Sequence, residues 1–257
     1  MRALKDTWTM TKRSLRHIVR SPDTIITVVL TPIALLLLFV YVFGGALGHQ
    51  TGSVKYVDFL TPGIIIMTVV SGIAYAAFRL SADIQKGIIN RFRTMPVAPS
   101  SILGGQAASS TLSNLFSSLL VLAVAFAIGF RSHAGAAGWL LFAALVALFT
   151  LATTWMAIFF GLLAKSAEGA GSFSYILMLL IFISPSFVPT SSMTSSLRSF
   201  AENQPLTPII ETMRSLLIDG TAGSKAWTAL AWCAGILIVF YFASLRLYRN
   251  RTIAANS

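Results

Sequence analysis

The chain has 257 residues, of which 56% are hydrophobic and only 11% are charged, and its formal net charge is +11. A soluble domain carries about 25% charged residues, so this composition excludes a soluble fold and is typical of a membrane protein. The positive charge does not indicate a nucleic-acid partner, because no soluble module with a basic face remains once the apolar stretches are removed.

The segment before the first apolar stretch, residues 1–22, predicts an amphipathic helix. Leu4, Trp8, Thr11 and Leu15 recur at helical spacing, while basic residues fill the other positions. A helix with one apolar and one basic face lies in the plane of the lipid headgroups. We therefore expect an interfacial helix here, although a simple topogenic anchor for anionic lipid explains the same pattern.

Six stretches are apolar and long enough to cross a bilayer, which takes about 20 residues of helix. A spanning segment must satisfy its own backbone hydrogen bonds, so we expect each stretch to be α-helical. The predicted spans are residues 24–43, 61–79, 102–130, 139–163, 172–188 and 226–248. The sequence therefore predicts an all-α membrane protein with six transmembrane helices in one domain over residues 1–257.

The basic residues are distributed unevenly over the segments that connect these spans. If the N-terminus is cytoplasmic, 14 of the 19 Lys and Arg residues fall on the cytoplasmic side and five fall outside. Cytoplasmic segments of membrane proteins carry such an excess of Lys and Arg. We therefore expect both termini in the cytoplasm.

The connection between the second and third spans, residues 81–101, is cytoplasmic in this topology. Ile84, Ile88 and Phe92 lie four residues apart and would give a short helix one apolar edge. A solvated connector explains the basic residues of this segment. A docking surface for another protein explains the apolar edge as well.

A second long connection, residues 190–224, lies outside in the same topology. Within it, Thr207 is expected to cap a helix that Pro208 begins and Gly220 ends. Twelve helical residues extend over about 18 Å, which is too short to cross the bilayer. We therefore expect short outer helices that lie on the surface or enter the membrane and return.

The predicted third span carries one polar face, formed by Ser110, Asn114, Ser117 and Ser118. Small polar residues let transmembrane helices approach closely and hydrogen-bond across their contact. We interpret this face as a packing seam in preference to a substrate path.

The sequence has no recognisable catalytic, nucleotide-binding or metal-binding motif. Its single cysteine, Cys233, has no intramolecular disulfide partner. No predicted span holds a central carboxylate, the group that ion-coupled carriers use most often. We expect no enzymatic activity, metal or cofactor in this chain and an energy source in another protein, although a secondary carrier with carbonyl-lined sodium sites stays open.

Three segments resemble a known family. DIQKGIINRFRTMPV at 83–97, SPSFVP at 184–189 and NQPLTP at 203–208 are similar to the permease subunits of ABC-2 type exporters, above all the daunorubicin and doxorubicin resistance group. The resemblance covers nearly the whole chain. It departs from the family pattern at Asn90, where many relatives carry an acid, and in residues 191–195, which lack a second proline.

This resemblance implies a prokaryotic inner or plasma membrane permease that exports amphiphilic drugs or lipid-like molecules, with polysaccharide or lipo-oligosaccharide export as the main alternative. ATP and Mg²⁺ would be bound by a separate cytoplasmic ABC ATPase, and the permease would pair with a second copy of itself among membrane lipids. In the family, the 81–101 loop forms a coupling helix that docks on the ATPase. The docking residues carried over are Asp83, Lys86, Gly87, Arg91, Phe92, Arg93 and Pro96.

The family also places the transport pathway along the first, second and fifth spans. Polar and aromatic residues recur there at three- or four-residue spacing and so share one face of each helix. They are Thr27, Thr31, Thr68, Ser71, Tyr75, Tyr175, Met178 and Phe182. Helix packing is the alternative role for these residues.

Overall fold

The structure is a computed structural model that describes residues 26–51, 54–86 and 99–254. Every regular element within these ranges is a helix. The predicted interfacial helix at 1–22 and most of the 81–101 loop lie outside the described residues. The described part confirms an all-helical chain.

The first helical segment, α1, changes its winding several times. It comprises Ile26–Leu30, Thr31–Leu38, Phe39–Phe43 and Gly44–Leu47, of which the first and third are wide π-type turns, and it continues into a 3₁₀ turn at Gly48–Thr51. Pro32 follows the first wide turn. A proline lacks the backbone N–H and its ring displaces the preceding turn, which is a common cause of such local widening.

The remaining helices are named in chain order. They are α2 Tyr56–Gln85, α3 Pro99–Ala127, α4 Ala136–Leu163, α5 Ala167–Ala170, α6 Phe173–Ile183, α7 Ser195–Asn203, α8 Leu206–Ile218 and α9 Ala226–Ala254. A short 3₁₀ turn, Thr190–Ser192, precedes α7.

Five helical stretches of the described chain are long and apolar enough to cross a membrane. They are Val28–Leu47, Tyr56–Gln85, Leu103–Ala127, Ala136–Leu163 and Ala226–Asn250. These stretches match the first, second, third, fourth and sixth predicted spans.

The region of the predicted fifth span, 172–188, holds only the 11-residue helix α6. Together with α5 it forms a shorter apolar stretch, Ala167–Ile183. The helix ends because Ser184, which precedes Pro185, adopts extended backbone with ψ 168°, and a residue before proline is disfavoured in helical conformation. Helix length therefore supports five of the six predicted crossings.

Helix α2 lies at the centre of the bundle. In its most apolar window 89% of the residues are buried, compared with 17% for the windows of α1 and α9. It packs against α1, α3, α4, α6 and α8. The main apolar core therefore surrounds α2, and α1 and α9 leave wide apolar surfaces exposed.

The connection before α9 contains one exposed and one buried helix. Helix α7 is exposed along most of its length, whereas α8 is largely buried against α2, α4 and α9. Gly220 has φ +70° and follows the end of α8, which confirms its predicted role as the terminating glycine.

The predicted N-cap of this helix was wrong. Helix α8 begins at Leu206 with Pro205 in the cap position. The Thr207 hydroxyl instead donates a hydrogen bond to the Ala201 carbonyl in the last turn of α7. A carbonyl in that position lacks an intrahelical partner, so the hydroxyl closes α7 and does not open α8.

Candidate functional site

The connections between helices meet at the two ends of α2, here named the Tyr56 end and the Gln85 end. At the Tyr56 end, the Ser132 hydroxyl donates to the Leu217 carbonyl over 2.7 Å, and the Arg131 backbone N–H donates to Asp58 Oδ1 over 2.9 Å. These bonds join the connection before α4 to the end of α8 and the start of α2. The connections predicted to lie outside therefore meet at one end of the bundle.

At the Gln85 end, α2 is tied to the connection before α5. The Ser81 hydroxyl donates to the Ser166 carbonyl over 3.2 Å, and Gln85 Nε2 donates to the Lys165 carbonyl over 3.3 Å. Both connections at this end are predicted to be cytoplasmic. The structure thus groups the described connections at the two ends of the bundle, as the predicted alternation of the spans requires.

Two of the predicted docking residues lie in the described chain, at this Gln85 end. Asp83 is partly buried in the last turn of α2, and Lys86 is exposed in the position that closes the helix, its N–H donating to the Ala82 carbonyl over 3.0 Å. The other docking candidates, Gly87, Arg91, Phe92, Arg93 and Pro96, lie outside the described residues. The docking surface stays a prediction, and its first two residues lie at the C-terminal end of α2.

The segment after α6, residues 184–189, has irregular backbone and packs inside the protein. Ser184, Pro185, Ser186 and Phe187 are buried. Irregular backbone at membrane depth must be covered by protein and have its polar groups paired. The Tyr56 hydroxyl meets this requirement for Phe187 by donating to its carbonyl over 3.2 Å.

Arg214 on α8 holds the same segment against α2. Its Nε and Nη2 donate to the Phe59 carbonyl over 3.2 and 3.0 Å, and Nη2 also donates to the Pro185 carbonyl. The guanidinium carbon lies 3.7 Å from the centre of the Phe59 ring, within the range of a cation–π contact. One side chain therefore connects α8, α2 and the 184–189 segment.

Gly63 allows the 184–189 segment to approach α2 closely. A Cβ atom at position 63 would lie 2.6 Å from Ser186 Cβ and 3.0 Å from Ser186 Cα. Contacts below 3.0 Å between such atoms do not occur in unstrained structures. The segment therefore lies directly on the backbone of α2, at the one residue of this turn that has no side chain.

Aromatic rings extend this contact to α1 and α6. The Phe187 ring stacks on Phe39 of α1 with a centroid separation of 4.6 Å and on Phe182 of α6 with 5.0 Å. The predicted pathway residue Phe182 thus contacts the 184–189 segment while 47% of its surface stays exposed.

The other predicted pathway residues differ in their exposure. Thr68 is fully buried and Ser71 partly buried, and each hydroxyl donates to the backbone one turn back, whereas Tyr175 on α6 is 77% exposed. The remaining positions are partly buried at Tyr75 and Met178 and exposed at Thr31, and the Thr27 side chain lies outside the described set. The structure places these residues on the predicted helices, and their role in transport stays a prediction.

The polar face of α3 is buried, which agrees with the interpretation as a packing seam. Ser110, Asn114, Ser117 and Ser118 are each less than 10% exposed, and α3 packs on α2 and α4. Asn114 lies against Gly72 of α2, where no side chain intervenes. Gly72 is the residue that lets this amide approach the helix.

The sequence analysis did not identify the Arg214 contacts. It counted Arg214 only as one of five outer basic residues. The available signal was an arginine on the predicted short outer helix, among apolar residues, because a charge in such a place needs partners.

Comparison with known proteins gives a consistent result. The sequence model of the ABC-2 type transporter family matches residues 5–218. The daunorubicin resistance ABC transporter permease protein DrrB1 of Streptomyces coeruleorubidus is 30% identical over 251 residues, which cover 97% of this chain and 88% of the relative.

Two further relatives are more distant. The probable doxorubicin resistance ABC transporter permease protein DrrC of Mycobacterium tuberculosis is 24% identical over 89% of this chain and 83% of its own length. The putative transport permease ycf38 of Porphyra purpurea is 26% identical over 80% of this chain and 71% of its own length.

Proposed function

The chain belongs to the ABC-2 type transporter family, and we propose that it exports amphiphilic drugs or lipid-like molecules with energy from a separate cytoplasmic ABC ATPase. The observation that carries this proposal is the similarity to a daunorubicin resistance permease over 97% of the chain. The fold supports it, because five helices are long and apolar enough to cross a membrane and α8 is largely buried in the bundle. ATP and Mg²⁺ belong to the partner in this proposal.

We place both termini and the Gln85 end in the cytoplasm of a prokaryotic cell and the Tyr56 end outside. The α5–α6 stretch, at the predicted fifth span, then provides the one crossing that helix length alone does not support. Its 17 residues extend over about 25 Å, and the buried 184–189 segment continues it toward the outer face. Helices α7 and α8 form the outer re-entrant segment.

Single cysteines should report this topology in a Cys233→Ala background, which removes the one native thiol. Cysteines at Lys86 and Arg249 are expected to resist an impermeant thiol reagent added to intact cells, and a cysteine at Ser195 is expected to react. All three native residues are exposed, so accessibility within the fold does not separate them. Labelling at Lys86 in intact cells, with membranes shown to be sealed, would contradict the six-span arrangement.

We propose that the ATPase docks on the 81–101 loop. An Arg91→Glu/Arg93→Glu variant should insert normally but lose co-purification with the ATPase and ATP-driven export of daunorubicin from proteoliposomes. Charge reversal at a docked and desolvated contact costs several kcal/mol, and about 3 kcal/mol lowers affinity by a factor of about 100.

The matched control reverses two exposed arginines at the same end of the bundle, Arg246→Glu/Arg249→Glu. This variant has the same change in net charge and should keep the ATPase. If both variants bind the ATPase as well as wild type does, the loop is a solvated connector and not a docking surface. Drug export that follows an ion gradient without ATP would instead indicate a secondary carrier and refute the proposed function.

The pathway is proposed to run between two copies of the permease, along α1, α2 and α6. Exposed apolar side chains support this placement, since Tyr175, Ile176 and Leu179 on α6 are each at least 60% exposed. Such a row must contact lipid, substrate or a second protein in the membrane.

A further inference from the structure

A small cleft opens between α1, α2 and α3 on the Gln85 side of the bundle. Its lining includes Tyr75 and Arg79 of α2 and Ser110, Ser113 and Asn114 of α3. Arg79 is partly buried, and its guanidinium carbon lies 6.0 Å from the centre of the Tyr75 ring. The cleft is distinct from the contacts of Arg214, which lie at the opposite end of α2.

The groups in this cleft fit an anion. Arginine, serine and the asparagine amide all donate hydrogen bonds, and the lining holds no carboxylate. Within the described chain, Arg79 has no acid within ion-pair distance, although Asp83 lies one turn further along α2. The cation in this cleft thus has no counter-ion among the described residues.

Asn114 provides a second, independent indication. The residue is 2% exposed, and its amide nitrogen has no hydrogen-bond partner in the described part of the protein. A buried donor without a partner destabilises the fold, so native proteins pair such groups or use them to bind a ligand. Asn114 lines the cleft, where an acceptor from a ligand would satisfy it.

The depth of Arg79 matches that of lipid phosphate. Helix α2 has 30 residues and is about 45 Å long, which equals the thickness of a bilayer with its headgroups. Arg79 lies six residues before the last residue of α2, or about 9 Å from the helix end. The headgroup region is about 5–8 Å thick on each side, so in a helix that fills the bilayer the Cα of Arg79 lies just below the headgroups, and its long side chain reaches up to the phosphate level.

An exposed apolar side chain lies next to Arg79 along α2. Phe78 precedes Arg79 and is 39% exposed. An acyl chain can cover it. The enclosed volume is about 20 Å³, room for one water molecule or one ligand oxygen, so the bulk of a headgroup must stay at the mouth beside Arg79.

We infer that this cleft binds the phosphate group of an anionic phospholipid, with Arg79 at the mouth and Asn114 donating to the oxygen that enters deepest. Basic pockets between transmembrane helices bind anionic headgroups in this way. The site concerns a resident lipid and does not depend on the identity of the exported molecule.

The test uses the purified full-length permease after delipidation. It is incubated with phosphatidylglycerol and phosphatidylcholine of equal acyl chains, and bound lipid is counted by native mass spectrometry. Wild type should prefer phosphatidylglycerol. Arg79→Gln should weaken its binding about tenfold, and Asn114→Asp should do the same, since a carboxylate would pair with Arg79 and repel phosphate.

Arg246→Gln is the matched control, because it removes one exposed positive charge from the same end of the bundle, and it should bind like wild type. Asn114→Asp preserves the side-chain volume, so it should not disturb the packing of α3. The melting temperature of each variant in phosphatidylcholine alone shows whether that variant is folded. Unchanged phosphatidylglycerol binding in Arg79→Gln, or an equal loss in Arg246→Gln, would overturn the inference. Displacement of the lipid by millimolar inorganic phosphate would also overturn it and assign the site to the free ion.

Discussion

Replacing Arg214 by Leu should lower the free energy of unfolding of the permease by about 3 kcal/mol and its melting temperature by about 6–12 °C. Hydrogen bonds from a charged donor contribute about 1.5–3 kcal/mol each, and a cation–π contact contributes about 0.5–2 kcal/mol. Arg214 donates to two carbonyls and covers the Phe59 ring. Removal of the charge also removes its desolvation cost, which offsets part of this loss.

Two variants make this result specific. Arg214→Lys keeps the charge but cannot reach Phe59 and Pro185 with a planar fork, so it should recover less than half of the loss. Arg198→Leu is the matched control on α7, where the pair with Glu202 has both side chains 45% exposed, and it should cost about 0.5 kcal/mol or less. Equal melting temperatures for Arg214→Leu and Arg198→Leu would show that the Arg214 contacts do not stabilise the fold.

Adding a single methyl group at Gly63 should destabilise the protein by a similar amount. In Gly63→Ala the new Cβ would lie 2.6 Å from Ser186 Cβ and 3.0 Å from Ser186 Cα. No rotation of the Ser186 side chain moves either atom, so α2 or the 184–189 segment must shift. Overpacking of this kind costs about 1–3 kcal/mol and occasionally more. We expect the melting temperature to fall by about 5 °C or more.

An exchange of the two residues tests whether this contact is the cause. Gly63→Ala/Ser186→Gly removes one Cβ where it adds another and should melt closer to wild type than Gly63→Ala does. Gly235→Ala in α9 meets no atom within 4 Å and should be neutral or slightly stabilising, since Ala favours helix over Gly. A Gly63→Ala protein as stable as Gly235→Ala would mean that the segment does not pack on α2 as described.

Hydropathy predicted the helices well because the bilayer imposes their length and internal hydrogen bonding. It placed the second span at 61–79, whereas α2 extends over Tyr56–Gln85. Charged residues such as Asp58 and Asp83 limited the prediction, but both lie near the helix ends, where Asp58 is buried and accepts a hydrogen bond from the Arg131 N–H and Asp83 is partly exposed. The shortened α6 was less visible, because a run of apolar residues continues to the Ser184–Pro185 bond that ends the helix.

The contacts around the 184–189 segment could not be predicted in the same way. Arg214 donates hydrogen bonds to main-chain carbonyls. Every residue has such a carbonyl, so the sequence does not indicate which residues are its partners. Gly63 and Ser186 are far apart along the chain, and their contact creates no local periodicity. Asn114 was correctly assigned to a buried face, but the glycine opposite it depends on the register between α2 and α3, which helical spacing within α3 does not define.

The length of α2 has a mechanical consequence. A helix of about 45 Å that tilts as one rigid body by about 5° about its midpoint moves its two ends by about 2 Å in opposite directions. At the Tyr56 end, Tyr56 and Arg214 hold carbonyl oxygens at 3.2 and 3.0 Å, and a hydrogen bond does not survive a stretch of that size. A small displacement of α2 at its Gln85 end must therefore either move the 184–189 segment together with the helix or break the hydrogen bonds that hold the segment to it.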